Sequence, residues 1–165
     1  MANFDRKHGN DFFISNDGDF NHYWLSQPSP NSGISSFDLV EAGNLHGCSI
    51  GRGGNSQACM GIASADFNRD GTLDLHVTNF ENESANLFLQ SKTGSFSDQA
   101  ARKGLVQPSF GVLGFGTQAA DFDNDGWQDI AVLNGHVYDG RVNDIPFRML
   151  PQLLRGHSDG FRLQP

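Results

Sequence analysis

Apolar residues in this chain fall in short bursts, each closed by Gly, Asn, Asp or Ser. Bursts of this length with β-branched and aromatic members predict strands joined by tight turns. Segments 60–65, 73–79, 86–90 and 94–98 form one series, and segments 115–120, 129–134, 151–155 and 159–163 repeat it in the same order. Segments 11–16, 21–25 and 36–40 repeat the last three members without the first. The repeats run approximately over 1–59, 60–113 and 114–165. Repeats of about 40–60 residues with four short strands each point to propeller blades. Gly, Ala and Ser dominate the first strand of each full copy, which suits inner strands crowding a central channel. The expected fold class is all-β: a partial β-propeller of about three four-stranded blades, the first lacking its innermost strand. Such an array leaves raw edges and a half-covered core, so the chain is expected to be a fragment of a longer ring or to close by self-association.

Between the first two strands of each full repeat lies an aspartate-rich loop, and the two copies start 55 residues apart. One reads Asp66-Phe67-Asn68-Arg69-Asp70-Gly71-Thr72-Leu73-Asp74, the other Asp121-Phe122-Asp123-Asn124-Asp125-Gly126-Trp127-Gln128-Asp129. Oxygen-bearing side chains at positions 1, 3, 5 and 9, with Gly at 6 for the sharp turn, can wrap a hard cation such as Ca²⁺. The first site would use Asp66, Asn68, Asp70 and Asp74 with the carbonyl of Thr72. The second would use Asp121, Asp123, Asp125 and Asp129 with the carbonyl of Trp127. The rival to this arrangement is an Asx-turn without metal. Four converging carboxylates repel one another without a cation, so the second loop argues harder for an ion. The second is also expected to bind more tightly, having one more carboxylate and no neighbouring arginine. An EF-hand is excluded, because its bidentate Glu at position 12 is replaced by Val77 and Val132 and the flanks read as strands. Extending the register backwards puts Asn3, Asp5, Lys7, His8 and Asp11 on positions 1, 3, 5, 6 and 9. With an ammonium at position 5 and no glycine at 6, this third loop is expected to be degenerate and empty, its lysine standing in for the cation.

Composition sharpens this picture. The chain has 16 Asp against 3 Glu, with 20 Gly and 14 Phe among its 165 residues, a balance suited to carboxylate-built turns rather than helices. Of the formal net charge of −8, the two loops hold −3 and −4 before Arg69 is counted, so much of the acidity is local to the loops. No basic stripe appears, which argues against nucleic acid, and no apolar run reaches membrane-spanning length. The N-terminus shows no export signal.

Other candidate chemistry is thin. Gly47-Cys48-Ser49-Ile50-Gly51 fits a nucleophile pattern, but loop-type sequence flanks it where a strand and a helix are required. Cys48 and Cys59 bracket a glycine-rich loop, either as a disulfide or as free thiols. Arg52 in that loop is a candidate partner contact or a solvated side chain. The six histidines show no ligand spacing, and His136 suits a capping or packing role better than catalysis. Asn82-Glu83-Ser84 is an acceptor sequon, meaningful only in a eukaryotic secretory setting. Asp17, Asp19, Asp38, Glu41, Glu81, Glu83, Asp98, Asp139 and Asp144 lie in turns without a pairing that marks an acid/base site.

Phe115-Gly116, Met60-Gly61 and both aspartate loops resemble FG-GAP/VCBS repeats, the blades of integrin-α-type propellers. The phrase Val132-Leu133-Asn134-Gly135-His136-Val137 and the Asn-x-Leu…Gly-x-Phe-x-Asp order of the outer strands resemble the ASPIC/UnbV (cartilage acidic protein-like) group in particular. The resemblance covers nearly the whole chain. It departs in the degenerate first loop, in a blade count below the usual seven or so, and in the absence of an ASPIC/UnbV domain. It implies Ca²⁺ between strands one and two, and an extracellular, periplasmic or cell-surface setting. The function it implies is a non-catalytic interaction or adhesion module that binds protein or glycan through loops on one propeller face. The alternative is the propeller portion of an extracellular polysaccharide-acting lyase or hydrolase.

Overall fold

The computed structural model describes residues 1–7, 9–29, 37–139 and 146–165. His8, Ser36 and Asp144 lie outside them. Within the described residues, strands β1 (Phe12–Ile14), β2 (His22–Pro28) and β3 (Phe37–Glu41) form a three-stranded sheet in that order. Strands β4 (Cys59–Ala65), β5 (Asp74–Asn79), β6 (Asn86–Gln90) and β7 (Phe96–Asp98) form a four-stranded sheet. Strands β8 (Gly114–Ala120), β9 (Asp129–Asn134), β10 (Gln152–His157) and β11 (Gly160–Leu163) form the third, also ordered along the chain. Every pairing between neighbours is antiparallel. The all-β, partial-propeller expectation holds, with the first sheet one strand short. Two single-turn helices, α1 (Gly43–His46) and α2 (Val106–Phe110), lie between the sheets. At four and five residues they are too short to carry a helical period in the sequence.

The sheets pack face to face around two cores. Phe13, Tyr23 and Leu25 of the first sheet meet Leu75, Val77, Phe88 and Phe96 of the second. Phe67 and Leu87 then meet Ile130, Val132, Leu154 and Phe161 of the third, with Leu105 closing the gap from the connecting segment. Each fully buried side chain of this size is worth roughly 1.5–3 kcal/mol. The outer faces are bare. Phe12 and Ile14 are 36% and 44% exposed, whereas Leu75 and Val77, in the matching places on β5, are 1% and 0% exposed. On the far side Leu133 and Leu153 are exposed.

Inner strands β4 and β8 run close together. A Cβ on Gly61 would sit 2.0 Å from the Phe115 carbonyl oxygen, so only glycine fits there. The Thr78 hydroxyl joins the two strands, accepting from the Gly61 N–H at 2.8 Å and lying 2.9 Å from the Phe115 carbonyl oxygen. Both inner strands slip register at the same place, between Cys59 and Ile62 and between Gly114 and Thr117.

Two sequence expectations change. The segment matching 86–90 is displaced by one residue in the first and last repeats: His22 pairs with Ile14 as Asn86 does with Val77, so the match in the first is 22–26 rather than 21–25. Asn86 pairs with Val77 and Gln152 with Val132, so segment 86–90 corresponds to 152–156 rather than 151–155. Since side chains alternate between faces, this slip moves each residue of the segment to the opposite face. The second change concerns Gly43–His46, read from sequence as loop, which is α1 and precedes the Gly47–Gly51 segment; a nucleophile elbow needs a strand there. Cys48 and Cys59 are free, buried thiols, pushed up by burial to about 12 and about 11. No helix among the described residues is long and apolar enough to cross a membrane.

Candidate metal centre

The loops take their shape from hydrogen bonds that short aspartate side chains make to nearby N–H groups. Asp66 accepts from Asp70 N–H at 3.0 Å and Gly71 N–H at 2.8 Å. Asp121 repeats this with Asp125 at 3.0 Å and Gly126 at 2.9 Å. Asn68 and Asp123 accept from the N–H at position 5, and Asp70 and Asp125 from the N–H of Thr72 and Trp127. Position 4 is left-handed in both, with φ of 60° at Arg69 and at Asn124. Position 6 follows at 86° for Gly71 and 89° for Gly126, where a side chain would be strained.

Position 9 does something different. Asp74 accepts from Phe67 N–H at 2.9 Å and from Gln90 N–H on β6 at 2.8 Å. Asp129 does the same with Phe122 at 2.9 Å and Gly156 on β10 at 2.8 Å. Asp11 does it as well, with Phe4 at 2.8 Å and Ser26 on β2 at 3.0 Å. All three carboxylates are buried, and each ties the start of its loop to the third strand of its blade. The sequence reading treated position 9 as a ligand and missed this strut; its recurrence in the degenerate loop was the signal.

Among the described residues, one group of carboxylates converges on a common point: Asp121, Asp123 and Asp129, with oxygens within 4.8 Å of one another. Calcium–oxygen bonds of about 2.3–2.6 Å place ligands on opposite sides of one ion about 5 Å apart. The cluster lies inside that span, so an all-oxygen donor set of this size fits the ion. Asp125 stands outside this group. Its Oδ2 is 2.9 Å from Nη2 of Arg155 on β10, and Nε of the same guanidinium lies 2.5 Å from Asp123 Oδ2. The expectation that this loop has no neighbouring arginine is therefore corrected. Arg155 escaped notice because the one-residue slip assigned it the place of Gln90; it actually occupies that of Leu89, and of Leu25 in the first sheet.

In the loop from Asp66 to Asp74 the three carboxylates do not form such a group, and Asn68 donates its amide to Asp70 at 3.1 Å. Burial works to raise Asp70, but the Thr72 hydroxyl and N–H and the Asn68 amide hold it below the usual range. Burial pushes Asp74 up to about 7 despite its two backbone donors, with Asp70 and Asp66 adding to the rise. A cation there would reverse that shift. Asp125 is held down by the Trp127 N–H and by Arg155. Arg69 points away from its own loop, its guanidinium carbon 5.1 Å from the centre of the Trp127 ring.

The degenerate loop keeps a left-handed position 4, with φ of 58° at Arg6, but not the bonds of its first position. Asn3 gives its amide to the Lys7 carbonyl at 2.8 Å, and Lys7 N–H binds Asp5 at 2.8 Å. The Lys7 ammonium is 3.5 Å from Asp5, but its side chain is 76% exposed, so it lies on the rim and does not fill the cation's place.

Outside the loops, acids serve as acceptors for the backbone. Asp98 takes the N–H groups of Leu87, Ala100 and Arg52, Glu41 those of Tyr23 and Gly43, and Glu83 that of Ala58. Two acid–imidazole pairs occur among the described residues, His22 Nδ1 lying 3.6 Å from Glu41 Oε1 and His136 Nε2 lying 3.7 Å from Glu81 Oε2. Tyr138 N–H donates to Nδ1 of the His136 ring, which places the proton of the neutral ring on Nε2, facing the carboxylate. The His136 and Glu81 side chains are buried between the second and third sheets, where the pair joins blades.

Comparison with known proteins agrees with the repeat pattern. Residues 66–132 match the FG-GAP-like repeat family. Over 106 residues the chain is 39% identical to cartilage acidic protein 1 of Xenopus tropicalis, an alignment covering 61% of this chain and 15% of that protein. The chain thus spans a small part of the relative's length. Residues 66–132 are FG-GAP-like repeat sequence, carried by a partial β-propeller that is similar to a segment of a cartilage acidic protein.

Proposed function

We propose that this chain is a calcium-stabilised, non-catalytic propeller module that binds a protein or glycan partner through loops on one face of the blades. Asp66, Asn68, Asp70 and Asp74 with the Thr72 carbonyl would hold one ion. Asp121, Asp123, Asp125 and Asp129 with the Trp127 carbonyl would hold the other. The ion's work is structural: it pins the turn between the first and second strands of each blade. The observation that carries this reading is the convergence of Asp121, Asp123 and Asp129 within 4.8 Å, in a backbone cage that the 66–74 loop reproduces.

The repeats, approximately 1–59, 60–113 and 114–165, would each contribute one blade, with further blades or further copies covering the bare outer faces. An exported setting suits such sites, since extracellular modules hold Ca²⁺ at roughly 10⁻⁴–10⁻³ M. The non-catalytic reading draws on Asp98, Glu41 and Glu83, which are spent on backbone N–H groups, and on Glu81, which is buried against His136.

Thermal unfolding in EGTA and in millimolar Ca²⁺, followed by Trp24 and Trp127 fluorescence, tests the reading. A midpoint that rises with Ca²⁺ supports it. A cooperative transition with the same midpoint in both conditions removes the metal and leaves Asx-turns.

A further inference from the structure

Resting on the calcium reading, we infer that Arg155 is a tethered cation of the 121–129 loop that stabilises its metal-free form and sets its affinity below that of the 66–74 loop. The matching positions in the other blades carry Leu25 and Leu89, so the guanidinium is peculiar to the third blade. It spans two side chains of the proposed donor set, Nε at 2.5 Å from Asp123 and Nη2 at 2.9 Å from Asp125. One of the two, Asp123, belongs to the group formed with Asp121 and Asp129, and the other, Asp125, stands beside it. The cation native to the 66–74 loop does the opposite, since Arg69 is drawn off its own carboxylates onto Trp127.

The energetics follow from linkage. A divalent ion and the guanidinium draw on the same oxygens, and any contact stronger in the metal-free loop lowers metal affinity by the same factor. A fixed positive charge about 5 Å from a doubly charged ion costs roughly tenfold in affinity even at the dielectric of water. The loop with more carboxylates is therefore the weaker site, which reverses the order that counting charges gives.

The test uses the whole chain, with Ca²⁺ titration by calorimetry and Tb³⁺ luminescence sensitised by Trp127. Wild type should show two affinities, with Asp70→Asn removing the tighter. Arg155→Leu should tighten the weaker site about tenfold and lower the unfolding midpoint in EGTA, while Arg155→Lys should keep the weak affinity. An Arg155→Leu variant that binds as wild type does, or more weakly, overturns the inference and leaves the calcium reading standing. Failure of both proteins to bind Ca²⁺ or Tb³⁺ at millimolar concentration overturns both.

Discussion

The loop ending at Asp11 and the loop ending at Asp129 share a left-handed residue at position 4 and the same strut, but put their side chains to different uses. The later one gathers three carboxylates within 4.8 Å. The earlier one has Asn3, Asp5 and Asp11 in the corresponding places and Lys7 at position 5, yet Asp11 makes the same two strut bonds as Asp129. The difference separates two roles that the nine-residue pattern blends. Position 9 carries the strut of the blade in both loops, and in the later loop it also stands in the converging group with positions 1 and 3.

The largest effect that tests this division is loss of a strut. Asp11→Ala leaves the N–H groups of Phe4 and Ser26 buried without an acceptor, and should cost about 3 kcal/mol in denaturant unfolding. The cost should be equal in EGTA and in Ca²⁺, and a loss confined to Ca²⁺ would show that the earlier loop binds metal after all. Next comes the cage. Asp66→Asn should remove the Ca²⁺-dependent gain of its site, about 2.7 kcal/mol at a hundredfold excess over Kd, while changing stability in EGTA by less than about 1 kcal/mol. A variant destabilised equally in both conditions would move position 1 into the architecture.

A smaller effect lies in the pH profile of the metal-free protein. The folded-state pKa of Asp74 is raised from 3.8 to about 7, so its contribution is full at low pH and is lost as pH rises through about 7. His76 is depressed from 6.5 to about 4, so its contribution is full above 6.5 and is lost as pH falls toward 4. The two oppose each other below about pH 6.5. Above it Asp74 acts alone of the pair, and stability in EGTA should fall by about 1 kcal/mol or less between pH 6.5 and 8. With Ca²⁺ bound that fall should vanish, because the ion holds the carboxylate charged. The smallest effect is Arg69→Ala, which should cost about 0.5–1 kcal/mol through the lost contact with Trp127 and shift that residue's fluorescence.

Most of the fold was legible because each blade states its pattern in local terms. Asp-Gly turns, Gly/Ala/Ser inner strands and the 55-residue spacing need no knowledge of distant contacts. The hydrogen-bonded turns of both aspartate loops were legible for the same reason, since their bonds join neighbours in sequence. What escaped depends on partners brought in from afar. Arg155 reaches Asp125 across 30 residues, and its face depends on a strand register that the variable 135–151 connection hides. The strut at position 9 was missed because one of its two N–H partners lies on another strand. The free state of Cys48 and Cys59, too, rests on packing in the first core rather than on their spacing.

Asp11 makes its two bonds in a loop whose positions 1, 3 and 5 are Asn3, Asp5 and Lys7, so the pin does not depend on a full set of oxygen side chains around it. A copied repeat inherits the pin that joins its loop to its own third strand, and can then exchange its ion-binding side chains without losing its place in the stack.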